Sequence, residues 1–156
     1  MNESTRISIR RIFLNLQPHR ALITAAGLLG MSLPHLKREI ADGTILTVRT
    51  GVGERVTREE MIAAAMRVWD QATIEEALGR EGERVLPEAI RLVELRARIP
   101  RYQREMLRWL ARRDETTVDC VLARELEDVA CAHSEELAGV VPGLEAALSW
   151  PEPASV

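Results

Sequence analysis

From Leu92 to Ile99 the chain reads Leu-Val-Glu-Leu-Arg-Ala-Arg-Ile, followed by Pro100 and two stretches of helical periodicity separated by Asp114-Glu115-Thr116. No other segment restricts the possible folds so strongly. Alternation sets Val93, Leu95, Ala97 and Ile99 on one side and Glu94, Arg96 and Arg98 on the other, the period of two expected of a half-buried strand. Proline cannot donate to a strand ladder but suits a first helical turn, so the strand should stop and a helix begin at Pro100. Within Arg101 to Arg113, Met106, Leu107 and Leu110 form an apolar face, and Arg101, Arg104, Arg108, Arg112 and Arg113 crowd the polar side. Thr117 is placed to cap a second helix in which Val118, Val121, Leu122, Leu126, Val129 and Ala130 recur at helical spacing. A lone strand ahead of a helical hairpin can neither satisfy its backbone groups nor bury Val93, Leu95 and Ile99, whereas a twofold copy does both. A homodimer is therefore expected, with Val93, Leu95, Ala97 and Ile99 at its seam.

The remaining composition points to helices. Hydrophobic residues make up 46% of the chain but aromatics only 3%, so the apolar content is mostly aliphatic and suits helix packing better than a sandwich or barrel. The expected class is mainly α with short β elements. No run approaches the roughly 20 apolar residues of a membrane span, and the N-terminus lacks the pattern of a secretory leader. We expect a cytoplasmic protein with no membrane association. Cys120 and Cys131 lie eleven positions apart in one expected helix, which separates their α-carbons by about 16 Å and excludes an intrahelical disulfide. Cys131 and His133 are too close for a zinc-finger pair and no second ligand pair exists, so both cysteines are read as core residues with no metal. No cofactor is implied.

A second motif lies upstream. The Ala-rich stretch ending Leu28-Leu29-Gly30-Met31-Ser32 is followed by Leu33-Pro34-His35-Leu36-Lys37-Arg38-Glu39-Ile40-Ala41-Asp42-Gly43. Gly30 can turn the chain between helices, Ser32 is a good N-cap and Pro34 fits the first turn. Leu33, Leu36 and Ile40 fall on one face, which leaves His35, Lys37, Arg38 and Glu39 exposed. Thr44 to Arg49 alternates as a strand, the Thr50 to Glu54 loop carries two glycines, and Arg55-Val56 can close a small hairpin. Thr57-Arg58-Glu59-Glu60 is a capping box opening a helix from Arg58 to about Trp69.

Leu22 to Ala63 resembles the small winged helix-turn-helix of the MerR and excisionase families, in Ala25-Ala26-Gly27-Leu28-Leu29-Gly30-Met31-Ser32, in Ile40-Ala41-Asp42-Gly43 and in Arg49 through Arg55. The resemblance implies a recognition helix in the major groove and a wing on the backbone or minor groove. Ser32, His35, Lys37 and Arg38 would then meet DNA, with Arg49 and Arg55 on the wing. The first helix departs from the family pattern, since Leu22-Ile23-Thr24 runs almost directly into Ala25-Ala26.

The order strand, proline, helix, polar turn, capped helix over residues 92–133 resembles the Arc and MetJ type of ribbon-helix-helix protein, in which paired strands enter the major groove. That resemblance implies groove contacts from Glu94, Arg96 and Arg98, and a phosphate at the amides of Thr116, Thr117 and Val118. Two departures are Glu115, where the family often has glycine, and the negative charge of Glu94, Asp114 and Asp119.

Charge is segregated in step with these motifs. Residues 1–58 hold nine Arg/Lys against four Asp/Glu, residues 59–90 three against eight, residues 91–113 eight against two, and residues 114–156 one against ten. Local cation density, not overall charge, is what a phosphate-contacting surface requires. The expected organisation is a winged helix-turn-helix at 1–70, an acidic helical connector at 71–90 in which Gly79 and Gly82 end a helix, a strand-helix-helix dimerisation module at 91–133, and a C-terminal helix and tail at 134–156. In the last segment His133 to Trp150 reads as an amphipathic helix interrupted at Pro142-Gly143, ending in a disordered tip, Trp150-Pro151-Glu152-Pro153. Trp69 and Trp109 are expected in cores. No nucleophile, base and acid form a catalytic pattern and no phosphate-binding glycine loop is present, so an enzyme is not expected. The leading expectation is a homodimeric, sequence-specific binder of double-stranded DNA, a bacterial-type regulator or excisionase-like factor. The alternative is an adaptor or antitoxin-like subunit whose acidic residues 134–156 bind a protein partner.

Overall fold

A computed structural model describes residues 1–151. They divide into two compact units, the first made of residues 1–91 together with Ser149, Trp150 and Pro151, the second of Leu92–Leu148. The protein is mainly helical with one small antiparallel sheet.

Unit 1 begins with α1 (Glu3–Phe13), capped by Asn2, whose side chain accepts the Thr5 amide at 2.7 Å. Ile9, Ile12 and Phe13, at helical spacing, are its buried face. Strand β1 (His19–Ala21) leads into the short α2 (Leu22–Leu28), then α3 (Leu33–Ala41), β2 (Val48–Thr50), β3 (Gly53–Thr57) and α4 (Arg58–Val68). The sheet order is β1-β3-β2, with His19 opposite Thr57 and Val48 opposite Arg55. Next come α5 (Gln71–Leu78), α6 (Gly82–Val85) and two single 3-10 turns, at Gly79–Glu81 and Glu88–Ile90. Gly79, at φ +54°, does end a helix, but Gly82 starts one. The acidic stretch is no detached connector in its packing, because Ile74, Ala77, Leu78 and Leu86 enter the same core as Phe13, Leu36, Val56 and Met61. Apart from the small Ala77, each of these buried side chains contributes about 1.5–3 kcal/mol of burial free energy.

Two arginines close the C-terminal end of α1. Arg20, in β1 and only 5% exposed, donates to the Arg11 carbonyl at 3.0 Å, and Arg58, at the start of α4, donates to the Phe13 carbonyl at 2.8 Å. The last carbonyls of a helix lack intrahelical donors and carry partial negative charge, so cationic donors satisfy both needs. Burial, followed by the nearby charges of Arg11 and Arg58, pushes the Arg20 pKa down.

Strand β2 is shorter than the alternation from Thr44 predicts. Ile45 turns into the core and the Leu46 amide donates to the Glu60 carboxylate at 3.1 Å, so a side chain takes the place of a ladder there. Glu60 is thereby drawn from the capping box, of which only the half from the Glu60 amide to Thr57 Oγ1, 3.3 Å, is made.

Unit 2 contains α7 (Arg101–Arg113), α8 (Val118–Ala132), the single turn α9 (Ser134–Leu137) and α10 (Leu144–Ser149), whose last residue belongs to unit 1. Pro100 and Thr117 are the N-caps of α7 and α8, and the Thr117 hydroxyl accepts the Cys120 amide at 3.2 Å. The strand expected over Leu92 to Ile99 is not formed within the chain: residues 92–100 carry neither helix nor strand. A strand exists only by pairing, and among the described residues no neighbouring strand lies beside this segment. Val93 and Leu95 are 87% and 69% exposed. The buried centre of the unit is Leu107, Ala111 and Val121, with Leu110 and Val118 packed on it.

Several expected core positions are corrected. Met106 and Trp109 are about half exposed, Trp109 with the Arg113 guanidinium 5.2 Å from its ring centre, whereas Trp69 does pack on the unit 1 core. Cys131 is exposed and Cys120 half-buried, since neither faces the Leu107–Val121 contact. The single helix expected over 133–150 is broken from Ala138 to Gly143, wider than the Pro142-Gly143 interruption. Trp150, expected in a disordered tip, instead packs on the unit 1 core with its ring centre 6.5 Å from that of Phe13, because this large ring has an apolar surface to cover. The rest of that tip, from Glu152 on, lies outside the described residues. Among those described, no helix is long and apolar enough to cross a membrane, and no three His, Cys, Asp or Glu residues cluster to hold a metal.

Candidate nucleic-acid interface

The geometry around α3 follows from three local devices. Gly30, at φ +68°, lets the Met31 amide reach back to the Ala26 carbonyl at 3.0 Å, which ends α2 and reverses the chain. Ser32 then caps α3 by accepting the His35 amide at 3.3 Å. Leu36, fully buried, with Leu33 and Ile40 partly buried beside it, fixes which side of α3 faces the core. At 100° per residue Arg38 stands directly opposite that stripe, His35 and Pro34 flank it, and Lys37 lies towards one margin. Ser32, His35, Lys37 and Arg38 are all exposed. The His35 imidazole is 3.4 Å from Glu39, so the outer face is not uniformly cationic.

After α3 the chain enters the β2–β3 hairpin, whose two-residue tip is Gly51-Val52 and whose Val52 is 77% exposed. Thr50 Oγ1 donates to the Gly53 carbonyl at 2.9 Å and Thr47 Oγ1 to Glu54 at 2.7 Å. The register separates the two predicted wing arginines. Arg49 pairs with Glu54 and Arg55 with Val48, so they point to opposite faces of the ribbon. Arg49 shares its face with core-directed Val56, and Arg55 shares the opposite face with exposed His19 and buried Thr57.

The fold itself uses part of the N-terminal positive charge. Arg6 pairs with Glu3 at 2.7 Å, Arg10 binds Glu81 and the Ala77 and Leu78 carbonyls at the end of α5, and Arg20 and Arg58 close α1. Of the nine basic residues in 1–58, five remain: Arg11, Lys37, Arg38, Arg49 and Arg55, whose side chains have no ion pair or hydrogen bond among the described residues. Four of the five belong to α3 and the hairpin. The fifth, exposed Arg11 in the last turn of α1, escaped the sequence reading, and only its position at an amphipathic helix end could have singled it out.

In unit 2 the predicted groove residues are exposed, but two of them satisfy each other: Arg96 Nε donates to Glu94 at 3.1 Å, across the two-residue spacing that puts both on one side of an extended segment. Arg98 is exposed and unpaired among the described residues. The implied phosphate site is at the amides of Thr116, Thr117 and Val118. The Thr116 amide is spent on the Ala111 carbonyl at 2.9 Å, where it ends α7, and the Thr117 hydroxyl is spent on the cap of α8.

No family model matches this chain, and no curated protein or solved structure matches it either.

Proposed function

We propose that the protein binds double-stranded DNA sequence-specifically as a homodimer, with unit 1 acting as a winged helix-turn-helix. One observation carries this reading: within residues 1–58, four of the five cations without partners among the described residues lie on α3 and the hairpin that follows it. On this reading α3 lies in the major groove, Arg38 and His35 face base edges, Lys37 meets a phosphate, and the ribbon straddles the backbone with Arg49 and Arg55 on its two sides. The flanking helix α1 adds Arg11 as a further phosphate contact. Dimerisation falls to unit 2, in the manner of a ribbon-helix-helix protein, through Val93, Leu95, Ala97 and Ile99, with Arg96 and Arg98 on the face turned to DNA. The role is regulatory or architectural, with no catalytic step.

Selection of bound fragments from a random DNA pool tests the whole reading, since a twofold-symmetric motif is the expected result and no enrichment would overturn it. The roles within α3 separate in a second measurement. Arg38→Ala should relax base preference at one position by about 1–3 kcal/mol of discrimination, whereas Lys37→Ala should weaken all sites alike and lower the log-log salt slope by about 0.9.

A protein-binding role for the acidic C-terminal region has its own support in Val140, 75% exposed, and Val141, 41% exposed, between two short acidic helices. A basic protein that binds the purified chain in a stoichiometric complex, and is lost on Val140→Asp, would favour that alternative.

A further inference from the structure

Unit 2 has a small core for its length. Between Leu92 and Leu148 the buried residues are Leu107, Ala111 and Val121, all at one α7–α8 contact, and a hairpin of this size with so little buried usually completes its core against something else. The surface of α7 says where. At 100° per residue the helix has three faces. Leu107 and Ala111 point at α8. On the side turned away from α8, Tyr102, Met106 and Trp109 form a stripe at i, i+4 and i+7, exposed by 69%, 50% and 55%. Along its border run Arg101 and Arg112, which have no ion pair or hydrogen bond among the described residues. Helix α8 carries the counterpart. Leu126 and Val129, 52% and 53% exposed, lie on a stripe about a quarter of a turn or more from buried Val121, and the exposed acidic Asp119 and Glu125 flank it, Glu125 lying 3.8 Å from Arg124.

We propose that these stripes meet between two copies of the chain, α7 of one protomer on α8 of its partner and the reverse, closing a four-helix arrangement about a twofold axis. The choice of a second copy rests on charge. Residues 92–113 hold seven basic and two acidic residues, and residues 114–148 one basic and nine acidic. Each half of the unit is thus the complement of the other half, yet within one chain the helices already meet through different faces. Only an intermolecular twofold brings the aromatic, basic-bordered stripe onto the aliphatic, acidic-bordered one, and it does so twice. The inference rests on the homodimeric part of the proposed function, but it requires only the helices and not strand pairing over Val93 to Ile99.

The test uses the full chain and two charge-reversed variants, Arg101→Glu with Arg112→Glu, and Asp119→Lys with Glu125→Lys. All four sites are exposed, and because Arg112→Glu and Asp119→Lys oppose the dipole at their own helix ends, folding is checked by helix content together with the urea unfolding midpoint. Sedimentation should show self-association weakened at least about tenfold in each variant, the scale of a lost close charge pair. An equimolar mixture should form heterodimers in native mass spectra. Trp109→Ala should weaken the dimer while leaving helix content unchanged. Dimers untouched by these changes, or a mixture that forms no heterodimer, overturn the proposal. So does a dimer lost only on Val93→Asp with Leu95→Asp, which would assign association to the extended segment. A chain monomeric at every concentration overturns both this inference and the homodimer reading, while DNA binding by unit 1 is still judged separately through Lys37 and Arg38.

Discussion

Glu115 sits at φ +50°, the same left-handed position that Gly30 and Gly43 occupy at the ends of α2 and α3. In all three turns the following amide reaches back five residues: Met31 to Ala26, Thr44 to Glu39 and Thr116 to Ala111, at 2.9–3.0 Å. The geometry is shared, but only glycine adopts it without steric cost. Glu115→Gly should therefore stabilise the α7–α8 hairpin by about 0.5–1 kcal/mol, and Gly30→Ala should destabilise unit 1 by about 1 kcal/mol, both measured by urea unfolding. Beside Glu115, Asp114 accepts from Arg113 at 2.6 Å and from Arg124 of α8 at 2.9 Å. These hydrogen bonds, Arg113's the larger, lower its pKa to about 2. A carboxylate whose folded pKa is depressed contributes stability that is present above the unfolded value and lost as pH falls towards the folded one. Between roughly pH 4 and 2 the hairpin should lose helix content, and Asp114→Asn should flatten that part of the acid titration. A variant that titrates like the parent would remove Asp114 as the cause.

At the level of elements, the ones read correctly from sequence carry their signals locally. Helices α3, α4, α7 and α8 each have a cap residue or proline in place and an apolar period, and their starts agree with the reading at Ser32, Thr57, Pro100 and Thr117. Strand β1 has no such signal. It is three residues containing a buried arginine, and it exists because β3 pairs with it and because the end of α1 needs Arg20. The same non-local cause hid which cations are occupied: Arg10 and Arg58 are indistinguishable from Lys37 by composition, and only the fold sends them to helix ends. The helix α3 offers a direct contrast. Leu36→Ala, removing a fully buried side chain, should cost about 2–5 kcal/mol and abolish the proposed DNA binding through unfolding. Lys37→Ala, one residue away and exposed, should change stability by less than about 0.5 kcal/mol, so any loss of binding reports contact. Thermal melts alongside binding curves decide between the two.

Across the whole molecule the two units differ in how firmly each chain segment is tied. The extended residues 92–100 are exposed and contain Arg96 and Arg98. Trypsin should cut there first in dilute protein, and cleavage should slow as concentration rises if the segment pairs between copies. Equal rates at all concentrations would argue against that pairing. The alternation over Leu92 to Ile99 was legible as a pattern, but no single chain holds the second strand that would turn it into structure. The C-terminus was less legible still, because nothing near Trp150 in sequence announces Phe13 as its neighbour.

That neighbour changes how truncations of this protein are to be interpreted. The chain leaves unit 1 after Arg91 and comes back to it at Ser149, so Trp150, almost the last described residue, helps complete the hydrophobic interior built by the first. A premature stop anywhere in unit 2 would damage the N-terminal module as well, and a loss of DNA binding in such a fragment would say nothing about whether the deleted helices touch DNA. Conversely, the N-terminal core can finish packing only once the chain has been made through Trp150.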